Sequence, residues 1–159
     1  MSLSHLDEQG RPRMVDVSGK PETDRTAVAR GAVRMSPEGY AVVASEGVKK
    51  GDVLAVAELA GIQAAKRTGE LIPLCHPLGL DQVLVEARLD PDLPGVRIRA
   101  ATRTRGRTGV EMEALTAVSV ACLTVYDMAK SVDRAMTIEA VQLVSKTGGT
   151  RGDWRRDDS

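Results

Sequence analysis

The chain has 159 residues, with 22 basic and 22 acidic side chains, two tyrosines, one tryptophan and no phenylalanine. This length fits one domain, and the balanced charge and few aromatic rings make nucleic acid a poor partner. Because no run approaches 18 apolar residues and the N-terminus is polar, we expect a cytoplasmic protein without a membrane segment or signal peptide.

The two ends of the chain are polar and contain glycine, proline and scattered charge. Such composition predicts a flexible N-terminal segment over residues 1–24 and a flexible tail over 148–159, each mobile without a partner. A single catalytic domain is expected over residues 25–147. In a cytoplasmic setting Cys75 and Cys122 are expected to be reduced thiols.

The first half of the domain predicts a strand and two helices. "TAVARGAVRM" has strand composition, and Ser36 before Pro37 is typical of a helix N-cap. Asp52 caps a second expected helix, which ends near Gly69. This helix leads into the segment "LIPLCHPL".

The second half predicts a hairpin, a long helix and a last strand. "DQVLVEARLD" and "GVRIRAATRTRG" alternate with period two around "PDLPG". The long helix follows, with Thr108 and Glu111 spaced as a capping box, and "RAMTIEAVQLVSK" is the last strand. The order predicts an α+β fold, a ferredoxin-like sandwich with a four-stranded antiparallel sheet and helices packed on one face.

The long helix carries a polar stripe that contains Glu113, Asp127 and Lys130. Glu113 and Asp127 are separated by about 21 Å along the axis, too far for one small substrate to contact both within one chain. Two copies of the helix packed antiparallel about a two-fold axis would bring the two ends together in a shared site. Alternatively, Asp127 and Lys130 form a simple ion pair worth about 0.2 to 0.5 kcal/mol.

The basic residues comprise 16 arginines and only six lysines. Since a lysine can exchange its proton near neutral pH when desolvated, the few lysines are candidates for acid–base or phosphate chemistry, or are surface residues without a role. A row of alternating arginines, Arg103, Arg105 and Arg107, runs toward the start of the long helix. Together with the glycine turn in "SKTGG", this row favours a phosphorylated small molecule.

Cys75 and His76 stand between Pro73 and Pro77, which stiffen the segment. A metal site is disfavoured because the chain has no CxxC or HxxxH spacing. A Cys nucleophile activated by the adjacent His is awkward, because neighbouring side chains in extended backbone point to opposite sides. A role in gripping or protonating a substrate and a purely structural role both remain open.

Three stretches, "LIPLCHPL", "GRTGVEMEALTAVSVACLTVYDMAK" and "IEAVQLVSKTGG", resemble the cyclic pyranopterin monophosphate synthases, the molybdenum cofactor biosynthesis C proteins. The resemblance extends from "MVDVSGK" at 14–20 to Gly149. It implies a lyase that rearranges a cyclised dihydro-GTP into cyclic pyranopterin monophosphate and releases pyrophosphate. It also implies a homohexamer built from three dimers and a functional link to an upstream radical SAM GTP cyclase.

The resemblance also implies roles for individual residues and no required cofactor, and it leaves open whether magnesium assists at the pyrophosphate group. The catalytic residues that it implies are Asp127, Lys50 and Lys130. The substrate-binding residues that it implies are Leu74, Cys75, His76, Glu111, Met112, Glu113, Arg25, Lys66, Arg103, Lys146 and Asp16, the last in a segment that we expect to order when substrate binds.

One departure from the family follows Gly149, where the family often continues "GGKSG" but this chain has Thr150 and Arg151. A phosphate contact from this tail is therefore an open question. Two other functional classes also remain: a ligand-sensing module, which would bind a nucleotide without turnover, and a metal-dependent phosphohydrolase, which a chelator would inhibit.

Overall fold

The computed structural model describes residues 3–45 and 52–158. Within them the chain forms one antiparallel sheet and four helices, which confirms the α+β class. The elements are β1 (Thr23–Arg34), α1 (Pro37–Ala44), α2 (Val53–Lys66), α3 (Thr68–Leu71), β2 (Gln82–Asp90), β3 (Gly95–Gly106), α4 (Glu111–Ala129), β4 (Thr137–Thr147) and β5 (Trp154–Arg155).

The strand order in the sheet is β2-β3-β1-β4-β5. β1 is central and pairs along its whole length with β3, from Thr23 opposite Gly106 to Arg34 opposite Gly95. Helix α4 packs against β1, β3 and β4, and α2 packs against β2 and α4. The core therefore lies between the sheet and these two helices.

Small side chains allow α4 to lie close to the central strand. Ala27, Ala29 and Val33 of β1 are fully buried, as are Ala117 and Val118 of α4. With few aromatic residues in the sequence, the core is filled by alanine, valine and methionine, which need short distances between backbones to reach native packing density. The close approach of β1 and α4 fixes the position of both ends of α4 relative to the sheet.

Helix α4 is the one helix in the described part of the chain that is long and apolar enough to cross a membrane. It has 19 residues and a mean hydropathy of 1.3 over its best window, half of which is buried inside the domain. A core helix covered by a sheet and a neighbouring helix has the same composition. Its length and hydropathy are therefore explained by its place in the fold.

Two of the three predicted helix caps are confirmed. Ser36 Oγ accepts a hydrogen bond from the Gly39 amide at 3.0 Å, and Asp52 Oδ1 accepts from the amides of Leu54 and Ala55 at 3.0 and 3.2 Å. These bonds satisfy amides that have no partner within the first turn. The two helices begin where the sequence places them.

The predicted capping box at Thr108 and Glu111 is wrong. Helix α4 begins at Glu111, after the fully buried Val110, and it has no side-chain cap. Glu111 is thus the first helical residue, where its side chain cannot reach back as a capping-box acid does from the third position. Its carboxylate instead forms an ion pair with Lys146 of β4 at 2.7 Å.

The prediction of four strands is also wrong, because the C-terminal segment adds the short strand β5. Lys146 pairs with Trp154 and Ser145 with Arg155. Two residues are too few to show the period-two alternation on which strand prediction depends. The mobility predicted for the two ends of the chain stays a prediction.

Candidate active site

The loop that carries Cys75 and His76 is held by helix α3. Thr68 Oγ1 donates to the carbonyls of Ala64 and Ala65 at 3.1 and 3.0 Å, which ties α3 to the end of α2. A Cβ atom at Gly69 would lie 2.9 Å from Pro77 Cα, so the loop folds directly onto α3. Only a residue without a side chain fits there, and the prolines and this contact together fix the loop.

Cys75 and His76 point to different partners. The Cys75 thiol lies 3.8 Å from Glu113 Oε1 at the start of α4. The His76 ring Nε2 lies 2.6 Å from the carbonyl oxygen of Val15 in the N-terminal segment. The imidazole therefore does not face the thiol, and the arrangement required of a histidine-activated cysteine nucleophile is not formed. The loop instead connects α4 with the N-terminal segment.

Glu113 is a buried carboxyl group with one unsatisfied oxygen. The residue is 2% exposed, and among the described residues its Oε2 has no hydrogen-bond partner. Burial raises the pKa of Glu113, against hydrogen bonds from its own backbone and from Cys75 that lower it, and the nearby charge of Glu111 raises it further. A buried oxygen without a partner is a ready acceptor or donor for a bound molecule.

Burial also raises the pKa of the Cys75 thiol to about 11, with the charge of Glu113 and its hydrogen bond as further causes. A thiol with this pKa is protonated at neutral pH, and the thiolate is the nucleophilic form. The electrostatics therefore favour Cys75 as a neutral hydrogen-bond donor. They disfavour it as a nucleophile.

A cleft of about 290 Å³ opens beside His76. Its walls come from the N-terminal segment, the start of α4, the end of β4 and the loop after β4. Four of the predicted site residues meet there, together with two basic residues from the ends of the chain. The charged and titratable groups in its wall include Lys20, Arg25, His76, Glu111, Lys146 and Arg151.

The cleft has an excess of positive charge. Glu111 is paired with Lys146 at 2.7 Å, which leaves the positive charges of Lys20, Arg25 and Arg151 without a matching carboxylate in that wall. Arg25 is buried, and its Nε donates to the carbonyl of Gly106 at 2.9 Å, so its guanidinium is held in place. A group with several negative charges is the complementary ligand.

Three other predicted residues lie outside this cleft. Asp16 lines an adjoining depression of about 440 Å³ together with His76 and Arg107. Lys66 lies in a depression beside Leu78 and Gln82, and Arg103 lies in another beside Asp24 and Arg105. Arg103 is exposed, whereas its strand neighbours Thr102 and Thr104 are buried toward the helices, so Arg103 is on the open face of the sheet.

Leu74 and Met112 are not among the residues that line the cleft. Leu74 is half-buried in the proline loop, and Met112 is exposed in the first turn of α4. Each is adjacent in sequence to a residue of the Cys75–Glu113 contact. Their predicted contact with substrate stays a prediction.

Asp127 and Lys130 form an exposed ion pair of 2.7 Å at the C-terminal end of α4. Glu113 is at the opposite end of the same helix, about 21 Å away along the axis. Within a single chain, therefore, this ion pair and the cleft lie at opposite ends of α4. Lys50, the third predicted catalytic residue, lies outside the described residues.

Sequence reasoning missed that His5, Thr108 and Arg151 also line the cleft. A signal existed for Arg151 alone, since it follows the glycine turn of "SKTGG". His5 is far from the other cleft residues in sequence, and no local pattern could place it. In residues 3–45 and 52–158 no group of three or more His, Cys, Asp or Glu side chains is arranged to hold a metal ion.

The fold and the cleft define a small α+β domain with a cationic site suited to a phosphorylated small molecule. Comparison with known sequences is more specific: a model of the MoaC family matches residues 14–149. The chain belongs to the MoaC family. This match covers all four long strands, the four helices and the start of the hairpin that ends in β5.

Curated relatives from several Brucella species are 58% identical to this chain over 156 residues, which is 98% of this chain and 94% of each relative. They include proteins of Brucella ovis (strain ATCC 25840 / 63/290 / NCTC 10512), Brucella melitensis biotype 2 (strain ATCC 23457) and Brucella suis biovar 1 (strain 1330). Each is named cyclic pyranopterin monophosphate synthase.

Proposed function

We propose that this protein is a cyclic pyranopterin monophosphate synthase, a lyase of molybdenum cofactor biosynthesis. Its substrate is the cyclised dihydro-GTP, and its products are cyclic pyranopterin monophosphate and pyrophosphate. The observation that carries this proposal is membership of the MoaC family over residues 14–149, together with relatives of that name at 58% identity over nearly the whole chain.

The cleft supports a substrate with a triphosphate group. Its excess of positive charge, from Lys20, Arg25 and Arg151 beside the paired Lys146, complements several phosphate charges. In this proposal these groups bind the triphosphate and stabilise the departing pyrophosphate. His76, at the edge of the same cleft, contacts the part of the substrate nearest to the proline loop.

Cys75 and Glu113 provide hydrogen-bonding groups beside the cleft. The pKa of each is raised by burial, so both favour their protonated forms more than exposed groups do. The rearrangement of the guanine-derived ring system requires hydrogen-bond donors and acceptors that hold it without competing for protons. We assign this binding role to Cys75, Glu113 and their neighbours Leu74 and Met112.

Asp127, Lys130 and Lys50 are assigned the general acid–base steps. The 2.7 Å contact between Asp127 and Lys130 would keep the ammonium group oriented until substrate binds. Since Asp127 is about 21 Å along α4 from Glu113, the complete site requires the α4 helices of two copies of the chain. We therefore propose an active site between subunits, in a homohexamer of three dimers.

Several finer features belong to the same proposal. The order β2-β3-β1-β4 supports a ferredoxin-like core to which β5 is added at one edge. Lys66 and Arg103 would contact base, ribose or phosphate in the assembled oligomer, as would Asp16 once substrate is bound. The protein acts in the cytoplasm after a radical SAM GTP cyclase and requires no resident cofactor, with magnesium at the pyrophosphate group as an open hypothesis.

A turnover assay tests the proposed function. Purified protein is given the cyclised dihydro-GTP, and pyrophosphate and the oxidised fluorescent pterin are measured in parallel. Both products are expected from the wild type and from Lys49→Ala, the matched control at the neighbouring lysine, and neither from Lys50→Ala. Nucleotide binding without either product would instead establish a ligand-sensing module.

A further inference from the structure

The segment after β4 forms a tight hairpin that returns to the sheet as β5. Gly148, Gly149 and Gly152 have φ angles of +86°, +85° and +75°, a region that side-chain-bearing residues rarely adopt. The Gly148 amide donates to Asp153 Oδ1 at 3.0 Å, and the Gly152 amide donates to the Gly149 carbonyl at 3.3 Å. The tip of this hairpin has a defined conformation, and Arg151 lies within it.

The far side of the hairpin is anchored to the sheet. Arg156 Nε donates to the carbonyl of Leu143 at 2.7 Å, and its amide donates to the carbonyl of Val144 at 2.8 Å. Two residues further, Asp158 accepts two hydrogen bonds from Arg30 of β1, at 2.9 and 2.7 Å. These bonds fix the chain on the C-terminal side of the tip, and Arg151 within the tip lines the cleft.

The near side of the hairpin packs on another cleft residue. Gly149 lies against the Arg25 guanidinium so closely that a Cβ atom would collide with it. Arg25 and Arg151 line the same cleft. Two guanidinium groups in one cleft repel each other, and an anion bound in the cleft offsets this repulsion.

Arg151 is available for a ligand. Its side chain is exposed to the cleft and makes no hydrogen bond or ion pair with any other residue that the structure describes. Two of the other basic groups nearby differ in this respect, because Lys146 is paired with Glu111 and Arg25 is bonded to Gly106. The Arg151 guanidinium can therefore rotate onto a phosphate group without breaking an existing contact.

We propose that Arg151 is a further substrate-binding residue that contacts the phosphate groups of the substrate from the β4–β5 hairpin. This inference rests on the proposed function, because it takes the oligophosphate of that substrate as the ligand. A guanidinium group can donate two parallel hydrogen bonds to phosphate oxygens, which an ammonium group cannot do with the same geometry. The C-terminal segment thereby forms one wall of the active site.

Calorimetric binding of inorganic tripolyphosphate tests the proposal directly. We compare wild type, Arg151→Ala, Arg151→Lys and Arg155→Ala, where Arg155 is an exposed residue of β5 outside the cleft wall. Loss of one charge-assisted bidentate contact is expected to raise the dissociation constant about tenfold in Arg151→Ala and less in Arg151→Lys. Arg155→Ala is expected to stay within about twofold of wild type.

Three results would overturn the proposal: an equal weakening in Arg151→Ala and Arg155→Ala, which indicates diffuse attraction; no binding by the wild type; or unchanged binding in Arg151→Ala. The turnover assay separates this inference from the proposed function. If tripolyphosphate binding depends on Arg151 but no turnover is seen, the proposed synthase activity is rejected and the proposed contact between Arg151 and phosphate is supported. If the protein turns over substrate and Arg151→Ala leaves both tripolyphosphate binding and KM unchanged, the synthase activity is supported and the Arg151 contact is rejected.

Discussion

The Cys75 thiol lies 3.8 Å from Glu113 Oε1, and this contact joins the proline loop to the first turn of α4. Glu113 is buried and its second oxygen has no partner among the residues described. Desolvation is the main cause of the raised pKa of this thiol, and the carboxyl adds to it, because ionisation of the thiol would place two negative charges side by side. The Cys75 thiol in this loop is therefore protonated at neutral pH and is a poor nucleophile.

Alkylation of Cys75 should be slow and should depend on Glu113. With a thiol pKa of about 11, only about one molecule in a thousand carries the thiolate at pH 8. The Glu113→Gln variant removes a charge that raises this pKa, so its rate of reaction with iodoacetamide at the same pH should increase. Mass spectrometry of the modified peptide measures the rate at Cys75 alone.

The second thiol is an internal control for this experiment. Burial raises the pKa of Cys122 to about 12, and Cys122 is fully inside the core, so it should stay unmodified in both proteins. An alkylation rate at Cys75 as fast in wild type as in Glu113→Gln would contradict the assigned influence of Glu113. Modification of Cys122 at a similar rate would instead report unfolding.

Replacing Asp127 by Asn should reduce turnover far more than substrate binding. If Asp127 takes part in proton transfer, kcat should fall by about a hundredfold or more, whereas KM should change by less than about threefold. Its ion pair with Lys130 is exposed, so the free energy of unfolding should change by less than about 1 kcal/mol. Steady-state kinetics and urea denaturation of the same preparation measure both quantities.

A comparable loss of kcat and of substrate affinity would show that Asp127 mainly binds substrate. The matched control is Asp92→Asn, an exposed carboxylate in the turn between β2 and β3, which should leave both kinetic constants unchanged.

Substituting Gly31 by alanine should destabilise the domain. A Cβ atom there would lie 2.7 Å from Val118 Cγ1 and 3.1 Å from Val141 Cγ2, in the contact between β1 and α4. Such overpacking of a core costs about 1 to 3 kcal/mol. Thermal or urea denaturation should show the loss, and Gly19→Ala, where nothing lies within 4 Å, should show almost none.

The double variant Gly31→Ala with Val118→Ala tests the cause. If the clash with Val118 is responsible, the double variant should be more stable than the sum of the two single changes predicts. If the changes in the free energy of unfolding are additive, the clash with Val118 is not the cause of the destabilisation.

The contribution of Asp133 to stability should disappear in acid. Its two carboxylate oxygens accept hydrogen bonds from the amides of Ser36 at 2.7 Å and Ala135 at 2.9 Å. The Ser36 amide in particular lowers the pKa of Asp133 below its ordinary value. Because the folded state binds the proton less readily than the unfolded chain, the stabilisation is present above the unfolded pKa and is lost as pH falls through the folded pKa.

Urea denaturation over a pH series, with Asp133→Asn for comparison, measures this contribution. The asparagine variant should be less stable than wild type at neutral pH, and the difference should shrink as the pH falls below about 4. A difference that is constant over the whole series would show that the effect of Asp133 does not involve its charge.

Most of the secondary structure could be predicted because it depends on short-range rules. Ser36 and Asp52 begin their helices because a side-chain oxygen can reach an amide two or three residues away, whatever the rest of the chain does. The hairpin of β2 and β3 follows from period-two alternation on each side of a proline and glycine turn. The resemblance of three stretches to a known family then extended this prediction to the function.

The predictions of secondary structure were wrong where contacts between distant parts of the chain determine the local structure. Glu111 looked like a capping residue, but its carboxylate pairs with Lys146, which is 35 positions later in the chain. Strand β5 is too short to leave a pattern, and it exists because the glycines after β4 turn the chain back beside Lys146. Neither contact leaves a trace in the residues adjacent to it.

The sequence by itself determined the α+β class, two of the helix caps, the hairpin and the family, since these depend on local spacing or on the identity of residues in order. The tertiary structure alone decided which charged groups from distant parts of the chain meet. It brings residues from both ends of the chain into one cleft, turns Cys75 toward Glu113 and His76 toward Val15, and leaves Asp127 at the other end of α4. Electrostatic interactions act through space over a few ångströms, so the ionisation and binding properties of the site depend on the packing that brings these groups together.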